Sequence, residues 1–149
     1  MIYLSAGDTK REDLIAESVL KHLNAWPDKP CKIRIEKLDK SPSGFSMSMQ
    51  RLSGTVISRK YIDGSFVGLW PFAVYVRTSA VDTSKHLEAA GHLSSLNAWL
   101  RSTLLPELSG SQTASSFEMT SLPAIAGVYE DGNVDYQAVF QLKYHQRSE

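Results

Sequence analysis

The chain has 149 residues, with sixteen basic and sixteen acidic side chains, four histidines and one cysteine. That length fits one domain, 1–149, and 42% hydrophobic residues suffice for a packed core. Charge balance removes any global pull toward nucleic acid or an anionic membrane, and a lone cysteine excludes an intramolecular disulfide and a multi-cysteine zinc site. The first residues, MIYLSAGDTKRED, lack the basic and apolar regions of a signal peptide, and no apolar run reaches membrane-spanning length. These features predict a soluble protein made in a reducing cytosol.

Thr9-Lys10-Arg11-Glu12 reads as a capping box, followed by Ile15, Val19, Leu23 and Trp26 on one stripe, with His22 beside them. Pro27 stops this helix, which is expected over about residues 10–25. Residues 31–38 alternate as a half-buried strand, with Ile33 and Ile35 on one side and Lys32, Arg34 and Glu36 on the other. The basic cluster Lys32, Arg34 and Lys37 is then the solvated side of a strand. Asp39 to Gly44 is a loop by its chemistry. Phe45, Met47 and Met49 alternate with Ser46, Ser48 and Gln50 in a second strand, and Ser53-Gly54 is a turn. Thr55–Ile62 is a β-branched third strand. Asp63-Gly64 predicts a hairpin through a type I′ turn. The fourth strand is expected over about Phe66–Thr78, with a break near Pro71, which cannot donate to a ladder. This long hairpin, 55–78, is expected to project beyond the core.

Asp82 or Ser84 caps a second helix, on which Ala89, Leu93, Leu96, Leu100 and Leu104 form an apolar stripe, with Trp99 at its edge and Pro106 ending it. Ser109 to Ser116 reads as a small-residue loop. A short strand follows at Phe117–Thr120, another at Ala124–Glu130, and a hairpin at Asp131-Gly132-Asn133. Val134–Tyr144 is the clearest strand. Val134, Tyr136, Ala138, Phe140, Leu142 and Tyr144 share one face, and Asp135, Gln137, Gln141, Lys143 and His145 share the other. The plan is α+β: a mainly antiparallel sheet, two helices on one face and a long projecting β-hairpin.

Catalytic constellations are not visible. His86 and His92 lie six apart on one helix, whereas a metal pair needs three or four. Asp131 to Asp135 lacks the later oxygen ligands of a calcium loop and is better read as a turn. Cys31 begins a strand and reads as a small hydrophobe rather than a nucleophile. No nucleophile elbow, phosphate loop, dinucleotide fingerprint or zinc-protease motif is present. No cofactor or metal is called for. The oddities are apolar. Met47 and Met49 alternate with serines, and Trp70 and Trp99 are large side chains. Methionine and aromatic enrichment marks contact surfaces as well as cores, and both readings stand for Met47, Met49 and Trp99.

Residues 46–78 and 82–145 resemble the minor capsid or tail terminator proteins of long-tailed phages (siphophages) of Gram-positive bacteria. The resemblance rests on Met49-Gln50-Arg51-Leu52-Ser53-Gly54, Lys60-Tyr61-Ile62-Asp63-Gly64-Ser65, Trp70-Pro71-Phe72-Ala73, and a helix opened by Asp82 that carries Leu93, Leu96, Trp99 and Leu100. Ser121-Leu122-Pro123, Asp131-Gly132, Tyr136-Gln137, Leu142 and Tyr144 complete it. It implies a non-enzymatic virion subunit, assembled in the host cytoplasm. Such subunits close into a six-fold ring, cap the tail-tube protein, stop its polymerisation and present a surface to the head–tail connector protein. Partners would be copies of the chain and these two proteins, with no membrane and no sequence-specific nucleic acid. Hairpin 55–78 would be an assembly arm, and Met47, Met49, Tyr61, Asp63, Gly64, Trp70 and Trp99 the interface candidates. Two alternatives stand beside this: another neck or head-completion component, and a small bacterial enzyme or ligand-binding domain, which requires a concave pocket of convergent polar groups.

Overall fold

The computed structural model describes residues 6–36, 44–79, 83–130 and 132–148. Helix α1, Ala6–Asn24, begins earlier than the capping box predicts, so Thr9 lies inside the helix. Glu12 instead reaches across to residue 55, and its Oε1 accepts from the backbone N–H of Thr55 at 3.2 Å. The predicted stripe is correct: Ile15, Val19, Leu23 and Trp26 are all buried. Asn24 ends the helix and joins it to the sheet. Its amide donates to the Ile33 carbonyl, and its Oδ1 accepts from the Ile33 N–H, both at 2.9 Å.

Strand β1 is short, Ile33–Ile35, and only Ile33 is buried. Glu36 adopts a left-handed φ of 54°, which bends the chain out of the strand after Ile35. The rest of the predicted strand, residues 37 and 38, lies outside the described residues, as does the expected loop 39–43. Strand β2, Ser46–Arg51, forms where it is predicted, but its burial does not alternate: Ser46 and Ser48 are buried along with Met47 and Met49. Its end is tied down by Arg51, which donates to Glu36 and Asp13, both at 2.8 Å.

Strand β3, Val56–Lys60, turns into β4, Phe66–Ser79. The turn is not type I′. Gly64 alone has a positive φ, 89°, and the N–H of Gly64 bonds to the Tyr61 carbonyl while the N–H of Tyr61 bonds to that of Ser65. A three-residue loop with glycine in the left-handed position meets the same strand twist with one positive φ instead of two. Pro71 does not break β4. It faces Gln141 of β6 on one side, and on the other it falls in the gap between β2, which ends opposite Phe72, and β3, which starts opposite Leu69. A missing donor costs least where no ladder is continuous.

Helix α2, Thr83–Ser102, buries Ala89, Leu93, Leu96 and Leu100 as predicted. Asp82 lies outside the described residues, and Ser84 is already helical. Leu104 falls past the helix end and is 89% exposed, because Pro106 disfavours helical backbone at the residue before it. The loop expected at 109–116 is largely strand. β5 runs Gln112–Val128 without interruption, merging the two short strands predicted there. It passes through Pro123 because it is an edge strand, and four register shifts accommodate the irregularity. Asn133–Gln146 forms β6, alternating as predicted.

The sheet order is β1-β2-β4-β6-β5, with β3 also on β4. Only β1–β2 is parallel. Met47, Met49, Trp70, Phe72, Val74, Val76, Ala138, Phe140, Leu142 and Tyr144 point to one face and join the α1 and α2 stripes in a single core. Hairpin 56–69 does not project as an arm. Every residue of β4 is paired with β6, so the second half of the predicted arm is a central strand. The fold is thus α+β as expected, without that projection.

Gly68 is needed by packing. A Cβ there would lie 2.7 Å from Thr55 Cγ2 and 2.8 Å from the Tyr144 ring, whose hydroxyl is hydrogen-bonded to Thr55 Oγ1 at 2.8 Å. Gly91, inside α2, has nothing within 4 Å of such a Cβ. Urea denaturation should therefore show Gly68→Ala losing about 1–3 kcal/mol by overpacking. Gly91→Ala should gain roughly 0.5–1 kcal/mol from helix propensity. Equal effects at both positions would contradict the packing assigned to Gly68.

Candidate functional site

The seven interface candidates divide sharply. Met47, Met49 and Trp70 are 1%, 0% and 1% exposed and belong to the core. Their side chains share the helix-covered face, so in this subunit they hold the fold together and offer no contact surface. Trp99 is half-buried. It stacks on His22 at 5.0 Å between ring centroids, and His22 stacks in turn on Phe117 at 5.7 Å. Tyr61, Asp63 and Gly64 alone form an exposed site, at the tip of the β3–β4 hairpin.

This tip is rigidly built. Asp63 Oδ1 accepts from the N–H of Ser65 at 2.9 Å and from its hydroxyl at 2.6 Å. Those hydrogen bonds hold the Asp63 carboxyl below its ordinary range. Ile62, at the apex, is fully exposed, and Tyr61 leans toward the His145 ring at 6.2 Å. Arg147 and Ser148 complete a shallow depression beside the hairpin. A fixed turn that offers an isoleucine to solvent beside a tyrosine suits a contact surface.

The uncovered face of the sheet carries a polar basin of about 410 Å³ lined by Glu36, Ser48, Gln50, Tyr75, Arg77, Tyr129, Asp135 and Gln137. Glu36 pairs with Arg51 at its margin, and Arg77 and Asp135 satisfy each other. Arg77 makes two hydrogen bonds to Asp135, at 2.7 and 3.0 Å, and the Tyr129 hydroxyl donates to the same carboxylate at 2.9 Å. The guanidinium also lies 4.8 Å from the Tyr129 ring centre. Asp135, placed by the sequence on the polar face of the last strand, is buried there. This closed network joins β4, β6 and the β5–β6 turn. Among the described residues no group of three or more His, Cys, Asp or Glu side chains is placed to hold a metal ion.

Each histidine packs on an aromatic ring: His22 as above, His86 on Tyr136, His92 on Phe45 and His145 on Tyr61. The sequence missed a second group of exposed apolar side chains. Val56 and Ile57 are 55% and 51% exposed on β3, and Leu122, Ile125 and Val128 are 79%, 55% and 70% exposed on β5. The uncharged run Leu122 to Val128 was the available signal, but it reads equally as a buried strand.

No protein-family model matches the chain, and no curated protein does. The fold is shared with solved structures. One is a chain of the virion of a native gene transfer agent particle, at 15% identity and a TM-score of 0.52, covering 97% of this chain and 99% of that one. Another, whose name carries no functional description, matches at 18% identity and a TM-score of 0.54 over 92% of this chain and 96% of the other. At such identities the likeness establishes the fold. Among the described residues no helix is long and apolar enough to cross a membrane.

Two outcomes test this description. Asp135→Ala should destabilise the protein by about 1–3 kcal/mol, because it strips a partly exposed guanidinium and the Tyr129 hydroxyl of their shared acceptor. Arg77→Met with Asp135→Leu should recover much of that loss, as judged by urea midpoints. The second concerns acid. Burial lowers the His22 pKa from its ordinary value of 6.5, so the folded state disfavours the imidazolium. The unfolded chain then binds the extra proton, and stability falls as pH drops through 6.5, levelling off below the folded pKa. His92 is lowered by burial too. Replacing His22 by Phe, which keeps the stack, should flatten part of this slope in thermal melts between pH 7 and 5. An unchanged slope would remove His22 from the account.

Proposed function

We propose that this chain is a structural protein of a phage-like virion, placed at the head–tail junction. There it forms a ring that caps the tail tube and ends its polymerisation. The observation that carries this reading is the full-length sharing of fold with a chain of the gene transfer agent virion. The resemblance of residues 46–78 and 82–145 to tail terminators supports it independently. The surface suits the role. The hairpin tip with Tyr61, Ile62 and Asp63 is a rigid, partly apolar contact, and the polar basin is occupied by its own ion pair.

A ring joins unlike patches of successive subunits, so contacts are expected at two separate places on each copy. The tip and the apolar end of β5 are two such places. The remaining surfaces would meet the tail-tube protein below and the connector above.

Light scattering across a concentration series, with and without tail-tube protein, tests the proposal. The expected result is one discrete species at a fixed multiple of 16.5 kDa, either alone or on addition of tube protein. A monomer that ignores tube protein at every concentration overturns it.

A further inference from the structure

The hairpin tip and a cavity on the far margin of the sheet complement each other in polarity. The tip offers Ile62, fully exposed at the apex of a turn fixed by Asp63. The Ile62 carbonyl accepts no hydrogen bond from the described residues. The other margin holds a cavity of about 410 Å³ where the chain leaves α2 and enters β5. Leu105, Leu108 and Ala114 give it apolar walls, and the last two pack against the core behind. Gln112 also lines it. This side chain is only 6% exposed, its Oε1 accepts from the Ser109 hydroxyl at 2.9 Å, and its Nε2 has no acceptor among the described residues. A buried donor left unpaired is costly, so the cavity suits a group that brings one acceptor and an apolar side chain.

Position decides what that group is. Lys60, Phe66, Gln146 and Gln112 form one row across β3, β4, β6 and β5. The tip lies just beyond one end of this row, and the cavity straddles the other end. Arg147 holds the cavity loop there: its N–H bonds to the Ser111 carbonyl at 2.9 Å and its guanidinium donates to the Gly110 carbonyl at 2.6 Å. Tip and cavity are therefore level along the central strands and lie on opposite margins. A subunit's own tip cannot enter its own cavity, because β6 stands between them and its continuation, Arg147 and Ser148, flanks the tip. Copies in a ring are related by rotation without translation, so patches that touch must be level along the axis. An axis parallel to the central strands satisfies that for this pair. β1 pairs with β2 opposite Val74–Val76, eight residues or more from Phe66 and about 27 Å along the sheet. It flanks the far half of that margin and leaves β3 and the tip outermost at their own level. The exposed Val128 is not level with the tip either, since it lies opposite Val134 near the other end of the sheet.

We infer that the β3–β4 tip of one copy seats Ile62 in the cavity lined by Leu105, Leu108, Gln112 and Ala114 of the next, with the Gln112 amide donating to the Ile62 carbonyl. The occupant is a second copy of this chain, because the tip carries the apolar side chain and the free acceptor that the cavity lacks, at the height where a rotated copy presents them. The turn is short and internally bonded, so docking costs it little conformational freedom. An apolar anchor buried in a pocket concentrates binding energy at one point. Tip and cavity are different patches, so the contact is head-to-tail and each copy uses both, as a closed ring requires. This inference rests on the ring proposed above and names its subunit contact.

Substitution at the apex tests the contact, and cross-linking locates its counterpart. Ile62→Ala and Ile62→Asp change only an exposed side chain, and circular dichroism checks that each folds. Assembly is followed by light scattering, with tail-tube protein present if the unmodified chain requires it. Ile62→Ala should raise the concentration for half-assembly by roughly tenfold. Ile62→Asp should raise it further, because it brings an unpaired carboxylate to the leucines and to Glu107, which lines the same cavity. Ile62→Cys and Leu105→Cys are then placed in one Cys31→Ser chain and bridged with a short bis-maleimide. A ladder of covalent oligomers is expected, and nothing beyond dimers with either substitution alone. A ring that assembles equally well with Ile62→Asp overturns the contact and leaves the ring standing. A ring weakened by Ile62→Asp that gives no ladder overturns the cavity as the counterpart. A ladder that runs into open filaments supports the contact and overturns the ring. No assembly of the unmodified chain under any condition overturns both.

Discussion

The continuous ladder between β4 and β6 is the constraint on which the rest of the molecule depends. Fourteen residues of each strand are in register, from Phe66 opposite Gln146 to Ser79 opposite Asn133. Because side chains alternate, that register sends Trp70, Phe72, Val74 and Val76 to the helices and Tyr75 and Arg77 to the other face. A slip by one residue would drive Arg77 into the core and Val76 into water. The Arg77–Asp135 pair acts as a second lock, since it forms only when these two residues lie opposite each other. Phe72 and Phe140 stack at 5.6 Å on the helix face and do the same from the apolar side.

With β4 and β6 in the middle, everything with open surface is pushed to the margins. The short β3 and the long β5 become edges, and the β3–β4 tip stands at one end beside His145 and Arg147. Edge strands expose backbone donors and acceptors, which natural monomers blunt with charges, bulges and proline. This chain uses all three on β5, yet it leaves Leu122, Ile125 and Val128 exposed beside them. Such a combination limits association without abolishing it.

The candidate site was legible only at the tip. Tyr61, Asp63 and Gly64 could be picked from sequence because a hairpin turn is a local event, set by glycine's freedom at positive φ and by the short aspartate side chain. The same Tyr-x-Asp-Gly pattern closes β5 and β6, where Gly132 has a φ of 88° and its N–H bonds to the Tyr129 carbonyl. Met47, Met49 and Trp99 could not be sorted into core or surface, since methionine and tryptophan serve both. Asp135 was invisible as a buried ion-pair partner because Arg77 is 58 residues away in the chain.

By itself the sequence determined the two helices, their buried stripes, the hairpin positions and the alternation of β6. These follow from periodicity and turn chemistry, which act over a few residues. Tertiary structure decided which strands are central and which are edges, because that depends on pairing between distant segments. It made β4 a core strand rather than a projecting arm, carried β4 past Pro71 at a gap between neighbours, and let β5 run through Pro123 at an open margin. A proline's cost depends on whether a neighbour needs its missing hydrogen, and only the assembled sheet contains that neighbour.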